Sequence, residues 1–148
     1  MGRLMRILAF CIPAWLALAG DGRAQQTFNT IMTARVEGGE KTPIWFAFAI
    51  EETCEVRRGF NMRVDRLPKH GEATIERSTR YVERWWLGRA PTREMRWNVA
   101  NCIGQPVPVL QLYYTPNRGY SGFDDMQITI TSFNRARVTH REIKLSVR

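Results

Sequence analysis

VLQLYYTPNRGYSGFDDMQITI, residues 109–130, reads as a strand, a tight loop punctuated by Pro116, Gly119 and Gly122, and a second strand. Such a strand–turn–strand pattern predicts a hairpin. Pro116 suits a turn position of fixed φ, and Gly119 and Gly122 permit backbone geometry that a Cβ obstructs. Asp124 stands where its carboxylate can accept backbone N–H bonds in the loop and pin a crossing between sheets. The stretch is mainly a folding device. The segments on either side decide which fold it belongs to.

Upstream, residues 27–36 alternate loosely, and Glu37-Gly38-Gly39-Glu40 marks a turn. Residues 44–50 (IWFAFAI) are a short apolar run whose length suits a buried strand better than a helix. Phe60, Met62 and Val64 alternate with Asn61, Arg63 and Asp65, the period of a half-buried strand. Leu67-Pro68-Lys69-His70-Gly71 closes that strand as a turn, and residues 72–76 (EATIE) are expected to be the returning strand. Downstream, Asn134-Arg135 marks a turn before a last strand over 137–147. No stretch sustains a helical period, and turn signals recur at spacings suited to short strands. The expected class is all-β, a sandwich or barrel.

Two motifs carry a family likeness. Pro68-Lys69-His70-Gly71-Glu72-Ala73-Thr74-Ile75 resembles the turn-and-strand of bacterial immunoglobulin-like and cadherin-like domains. Tyr113-Tyr114-Thr115-Pro116 followed by Gly119-Tyr120-Ser121-Gly122-Phe123-Asp124 is similar to their Y-x-P…G-[YF]-x-G-x-D signature. The strands MQITI and IKLSV are similar to their last two. The likeness covers residues 60–148 and implies an immunoglobulin-like antiparallel β-sandwich, in the form of a small stand-alone exported domain. It departs from the family in one place. A long segment containing an Arg/Trp-rich stretch and Cys102 separates the two motifs, where such repeats have a short turn and one strand.

The 148 residues hold one domain of ordinary size, and the first 24 stand apart from it. Arg3 and Arg6 precede an apolar run over 7–19, and small residues follow (Ala17, Ala19, Gly22, Ala24). That is the layout of a secretory signal peptide, with cleavage after Ala19 or, preferably, Ala24. A lipid anchor on Cys11 is disfavoured, because Phe10 is bulky and Cys11 lies inside the apolar run. The run is shorter than the roughly 20 apolar residues that span a bilayer, so an integral membrane protein is not expected. The expected location is periplasmic or secreted, with a domain over 25–148.

Removing residues 1–24 takes three arginines and one aspartate from 22 cations and 14 acids and leaves a net charge of +6. The remaining cations are nearly all arginine; Lys41, Lys69 and Lys144 are the lysines. A basic exported domain is drawn to anionic surfaces, and the same excess serves solubility. Nucleic acid suits the charge but not the compartment and is not an expected partner. Cys54 and Cys102 remain after processing, and an even count in an oxidising compartment predicts a disulfide between them. A zinc site is disfavoured, because these cysteines with His70 and His140 lack close pair spacing.

Asp124-Asp125 invites a calcium reading, but calcium takes about 6–8 oxygen ligands and only Asp65, Asp124 and Asp125 follow residue 24. His70 and His140 have no nucleophile motif beside them, and Gly119-Tyr120-Ser121-Gly122 lacks Gly-x-Ser-x-Gly spacing. Neither an enzyme, a metal nor a cofactor is expected. Residues 80–97 (RYVERWWLGRAPTREMRW) exceed what a fold needs. They have no clean period and read as a long excursion with room for one short strand or helical turn. Tryptophan, tyrosine and arginine are enriched in binding hot spots, which makes Arg84, Trp85, Trp86, Arg89, Arg93, Arg96 and Trp97 the candidate site. Against this, Trp85 or Trp86 could tuck onto a sheet while the arginines solvate the loop. Two functions follow. One is a non-enzymatic module that binds an envelope component or partner protein through this loop. The other is a structural domain that docks by its sheet edge.

Overall fold

The computed structural model of the chain describes residues 26–132 and 137–148; the signal-peptide reading and the turn at 134–135 lie outside the described residues. In chain order the strands are β1 (Gln26–Val36), β2 (Thr42–Ala47), β3 (Asn61–Arg66), β4 (Gly71–Tyr81), β5 (Pro106–Pro116), β6 (Gly122–Ser132) and β7 (Arg137–Val147). They form two sheets, one ordered β1-β7-β6-β3 and the other β2-β5-β4. Between β4 and β5 the chain forms a 3-10 turn (Arg84–Gly88) and a helix, α1 (Arg93–Asn101). Cys54 and Cys102 are joined by a disulfide. The result is an all-β sandwich with a helical cap.

Four expectations are corrected. Residues 109–130 are not a hairpin: β5 pairs with β2 and β4, while β6 pairs with β3 and β7. The loop 117–121 therefore arches from one sheet to the other. Likewise, β4 does not return along β3 but crosses to the opposite sheet. The sandwich is not wholly antiparallel, because β1 runs parallel to β7 over its full length, Gln26 opposite Arg137 through Val36 opposite Val147. Finally, the excursion contains an α-helix. Thr92 caps it by accepting a bond from the Met95 amide at 3.1 Å, and Glu94 sits in the first turn. Met95, Asn98 and Val99 face inward at i, i+3 and i+4. With only nine residues, and a polar Asn98 on the buried face, the apolar period is too brief to register.

One carboxylate ties the two arches together. Asp124 Oδ1 accepts from the Lys69 and Asp125 amides, both at 2.9 Å. Asp124 Oδ2 accepts from the His70 amide at 2.8 Å and from the Tyr114 hydroxyl at 2.9 Å. Above them His70 stacks on Tyr120, ring centroids 4.2 Å apart. Gly119 has φ +75° and Gly122 φ +140°, conformations that side chains other than glycine rarely adopt. At Gly71 the requirement is space, since a Cβ would lie 2.5 Å from the Thr115 carbonyl oxygen and 2.6 Å from the Tyr114 ring.

The molecule has three layers because β5 is buried on both faces. Leu112 and Tyr114 point into the sandwich core against Met126, Ile128, Ile143 and Leu145. Val107 and Val109 point the other way, into a second core with Trp86, Met95 and Val99. The chain leaving β2 also enters the second core, through Phe48, Ala49 and Ile50. A strand with apolar residues on both faces needs a cover on each side, and the Arg/Trp excursion supplies the second.

Candidate ligand-binding site

The cap is held from several directions. Trp86 is 1 % exposed, with its ring centroid 4.6 Å from that of Phe48 and 5.0 Å from that of Phe46. The Asn98 side-chain amide donates to the Ile50 carbonyl at 2.9 Å. Cys102, directly after α1, is bonded to Cys54. The Arg57 guanidinium meets Glu51 at 3.0 Å and Glu94 of α1 at 2.6 Å. Burial alone would lower its pKa, but hydrogen bonds to Glu94 and Glu51 outweigh that and raise it. The loop 51–57 and the helix thus share one buried cation.

On this platform the predicted site residues separate. Trp86 is core and unavailable to a ligand. Trp85 is 48 % exposed and Trp97 64 % exposed. Arg84, Arg93 and Arg96 are exposed with them, Arg96 donating to the Ala90 carbonyl at 3.3 Å. Arg89 turns the other way, toward the sandwich.

There the two sheets part and leave a groove of about 650 Å³. Its walls are β1 and β7 on one side, β2 on the other, with Gly88, Arg89, Pro91 and Met95 of the cap above. Strand alternation explains its character. On β7, Ile143 and Leu145 fill the core, and the same face continues through Arg141, Thr139 and Arg137 into the groove. On β6 the face that holds Met126 and Ile128 continues through Ile130 to Ser132. The interior face therefore changes from aliphatic to cationic and hydroxylic along the strands.

Arg89 lies over Trp45 at 5.5 Å, Phe46 at 4.7 Å and Trp85 at 5.5 Å, and donates to the Phe46 carbonyl at 3.2 Å. Arg141 lies 5.0 Å over Trp45, and Arg80 lies 4.5 Å over Phe46. Contacts thus alternate from Arg141 through Trp45, Arg89 and Phe46 to Arg80, along the edge of β2. Among the described residues none of these three arginines pairs with a carboxylate; the ion pairs involve Lys41, Arg57, Arg63 and Arg66. Burial, followed by the charges of Arg141 and Arg80, lowers the pKa of Arg89, and burial lowers that of Arg141.

Sequence reasoning picked out Arg89, placed Arg80 in the same excursion without giving it a binding role, and missed Trp45 and Arg141. A signal was there: in RVTHREIKLSV, Arg137, Thr139 and Arg141 share the parity of Ile143, Leu145 and Val147. It also missed a polar trio on the same large sheet. The Thr129 hydroxyl is buried, bonded to Asp65, and 2.7 Å from His140 Nδ1. No group of three or more His, Cys, Asp or Glu suited to a metal occurs among the described residues. No helix among them is long and apolar enough to cross a membrane.

No family model and no curated protein matches the chain. Among solved structures, the solution structure of Amebosin matches with 15 % identity, covering 82 % of this chain and 98 % of that one, at a TM-score of 0.41. That score is too low to carry an argument about fold or function.

Proposed function

We propose that the protein is an exported, non-enzymatic immunoglobulin-like domain that engages an envelope component or partner protein through its Arg/Trp cap. The observation that carries this reading is the division of the tryptophans. Trp86 anchors the cap, Trp85 is half-exposed at its edge, and Trp97 stands in solvent beside exposed arginines. Tryptophan buries a large area at little conformational-entropy cost, and arginine adds a planar, charged set of donors, so the two are enriched in recognition hot spots.

Strand order supports the immunoglobulin-like part. Orders β7-β6-β3 and β2-β5-β4 correspond to the CFG and BED pairings of that sandwich, with β1 added beside the last strand. The absence of catalysis is argued from the polar trio: its hydroxyl is central and buried, whereas a nucleophile must be exposed and face an imidazole that is itself oriented by a carboxylate. Export is supported by the disulfide, which oxidising compartments preserve.

The test is capture from envelope extracts on the immobilised protein, compared with a variant carrying Arg93→Ala, Arg96→Ala and Trp97→Ala. The expected result is a component retained by the wild type and reduced at least tenfold by the variant. Equal retention by both would refute the reading.

A further inference from the structure

We propose that the groove between β7, β1 and the edge of β2 binds a small ligand bearing a phosphate- or carboxylate-type oxyanion. Arg89 and Arg141 would clasp the anion, and the apolar side chains of Met32, Phe60 and Ile130 would receive the flat or apolar remainder of the molecule. The proposal goes beyond capture by the cap surface. The two depend on different side chains, so either can fail alone.

Position makes the first argument. Arg141 stands on the interior face of β7, in line with Ile143 and Leu145, where a strand of a sandwich normally continues its apolar row. An interior cation is costly unless something neutralises it. Among the described residues no carboxylate pairs with Arg80, Arg89 or Arg141, although acids pair with arginines elsewhere, as at Arg57 and Arg66. Three guanidiniums joined through two rings form an unneutralised positive cluster.

Unused donors make the second. A guanidinium carries five N–H groups. Among the described residues the buried Arg141 Nε has no hydrogen-bond partner, and the guanidinium's one hydrogen bond is from Nη1 to the Met32 sulfur at 3.5 Å, a weak acceptor. Among the described residues the Arg89 guanidinium makes one hydrogen bond, to the Phe46 carbonyl. Planar forks with free N–H groups match the oxygens of a phosphate or carboxylate, often two at a time.

Volume and lining make the third. The groove of about 650 Å³ lies in the size range of small-molecule sites. Trp45, Phe60, Met32 and Ile130 supply apolar walls, and Thr139 and Ser132 add hydroxyls. Cations interleaved with rings and aliphatics call for a ligand of mixed character, an anionic head on a flat or apolar body.

The test titrates the protein at low ionic strength with phenyl phosphate, benzoate and, as the neutral control, phenol. Calorimetry gives affinity and amide and indole NMR shifts give location. Expected is saturable binding of at least one anion, shifts centred on Met32, Trp45, Thr139 and Arg141, and roughly tenfold or weaker binding of phenol. Preference for phenyl phosphate assigns a phosphate ester, and preference for benzoate assigns a carboxylate. Arg141→Gln and Arg89→Gln should each weaken binding roughly tenfold, and Arg118→Gln, exposed in the 117–121 arch at the opposite end of β6 from the groove, should leave it unchanged. The proposal is overturned if neither anion saturates, if phenol binds as well as the anions, or if the shifts lie outside the groove. The shift map uses the unaltered protein, so it decides the matter even if a variant fails to fold.

Discussion

Asp124 accepts four hydrogen bonds, from two amides of the arch before β4, from its neighbour's amide and from Tyr114. Burial pushes its pKa up, but those bonds more than offset this and hold it below the ordinary value of 3.8. A carboxylate whose folded pKa is depressed contributes stability that is present above its unfolded pKa and lost as pH falls through the folded one. The urea midpoint of the wild type should therefore decline below about pH 4, and Asp124→Asn should lower the unfolding free energy at pH 7 by about 2–3 kcal/mol and flatten the acid decline. Gly71 makes a separate test of the same corner. A Cβ there meets backbone and ring atoms at 2.5–2.6 Å, so Gly71→Ala should destabilise by about 2–4 kcal/mol in equilibrium unfolding. Gly71, Gly119, Gly122 and Asp124 were legible because turn chemistry is local. What they turn between was not: the same Pro/Gly punctuation serves a hairpin and an arch, and only long-range pairing distinguishes them.

The cap shows how a local pattern can hide an element. Residues 93–101 offer only three inward positions, Met95, Asn98 and Val99, and the polar one is satisfied by the Ile50 carbonyl, far away in sequence. Better visible was the demand for a cover, since VPVLQLYY in β5 is apolar on both parities. Trp86 fills that second core, and among the described residues its indole N–H has no hydrogen-bond partner. Trp86→Ala should thus cost about 3–5 kcal/mol, whereas Trp86→Phe, which loses no hydrogen bond, should cost clearly less. Denaturant titration of both variants checks this. The groove was half legible: Arg89 declares itself by composition, whereas Arg141 and Trp45 reach it only through sheet geometry.

Across the whole molecule, the Cys54–Cys102 bond closes a loop with a sequence separation of 48 and fastens the end of α1 to the loop after β2. Its removal by reduction should cost about 4 kcal/mol on the chain-entropy estimate. Amide exchange should then rise first in α1 and the 51–57 loop, while β5, β6 and β7 keep their protection. The three layers divide the work. Paired strands and the Asp124 staple set the frame, the second core fixes the cap, and the cap presents its outer tryptophans and walls the groove. Recognition and stability should accordingly separate by side chain. Arg93→Ala/Trp97→Ala can be compared with the wild type for capture of the retained envelope component, with melting temperature recorded on the same samples. A recognition surface on the cap predicts at least a tenfold loss of capture, with a melting temperature within about 2 °C of the wild type. Undiminished capture by that double variant would contradict it.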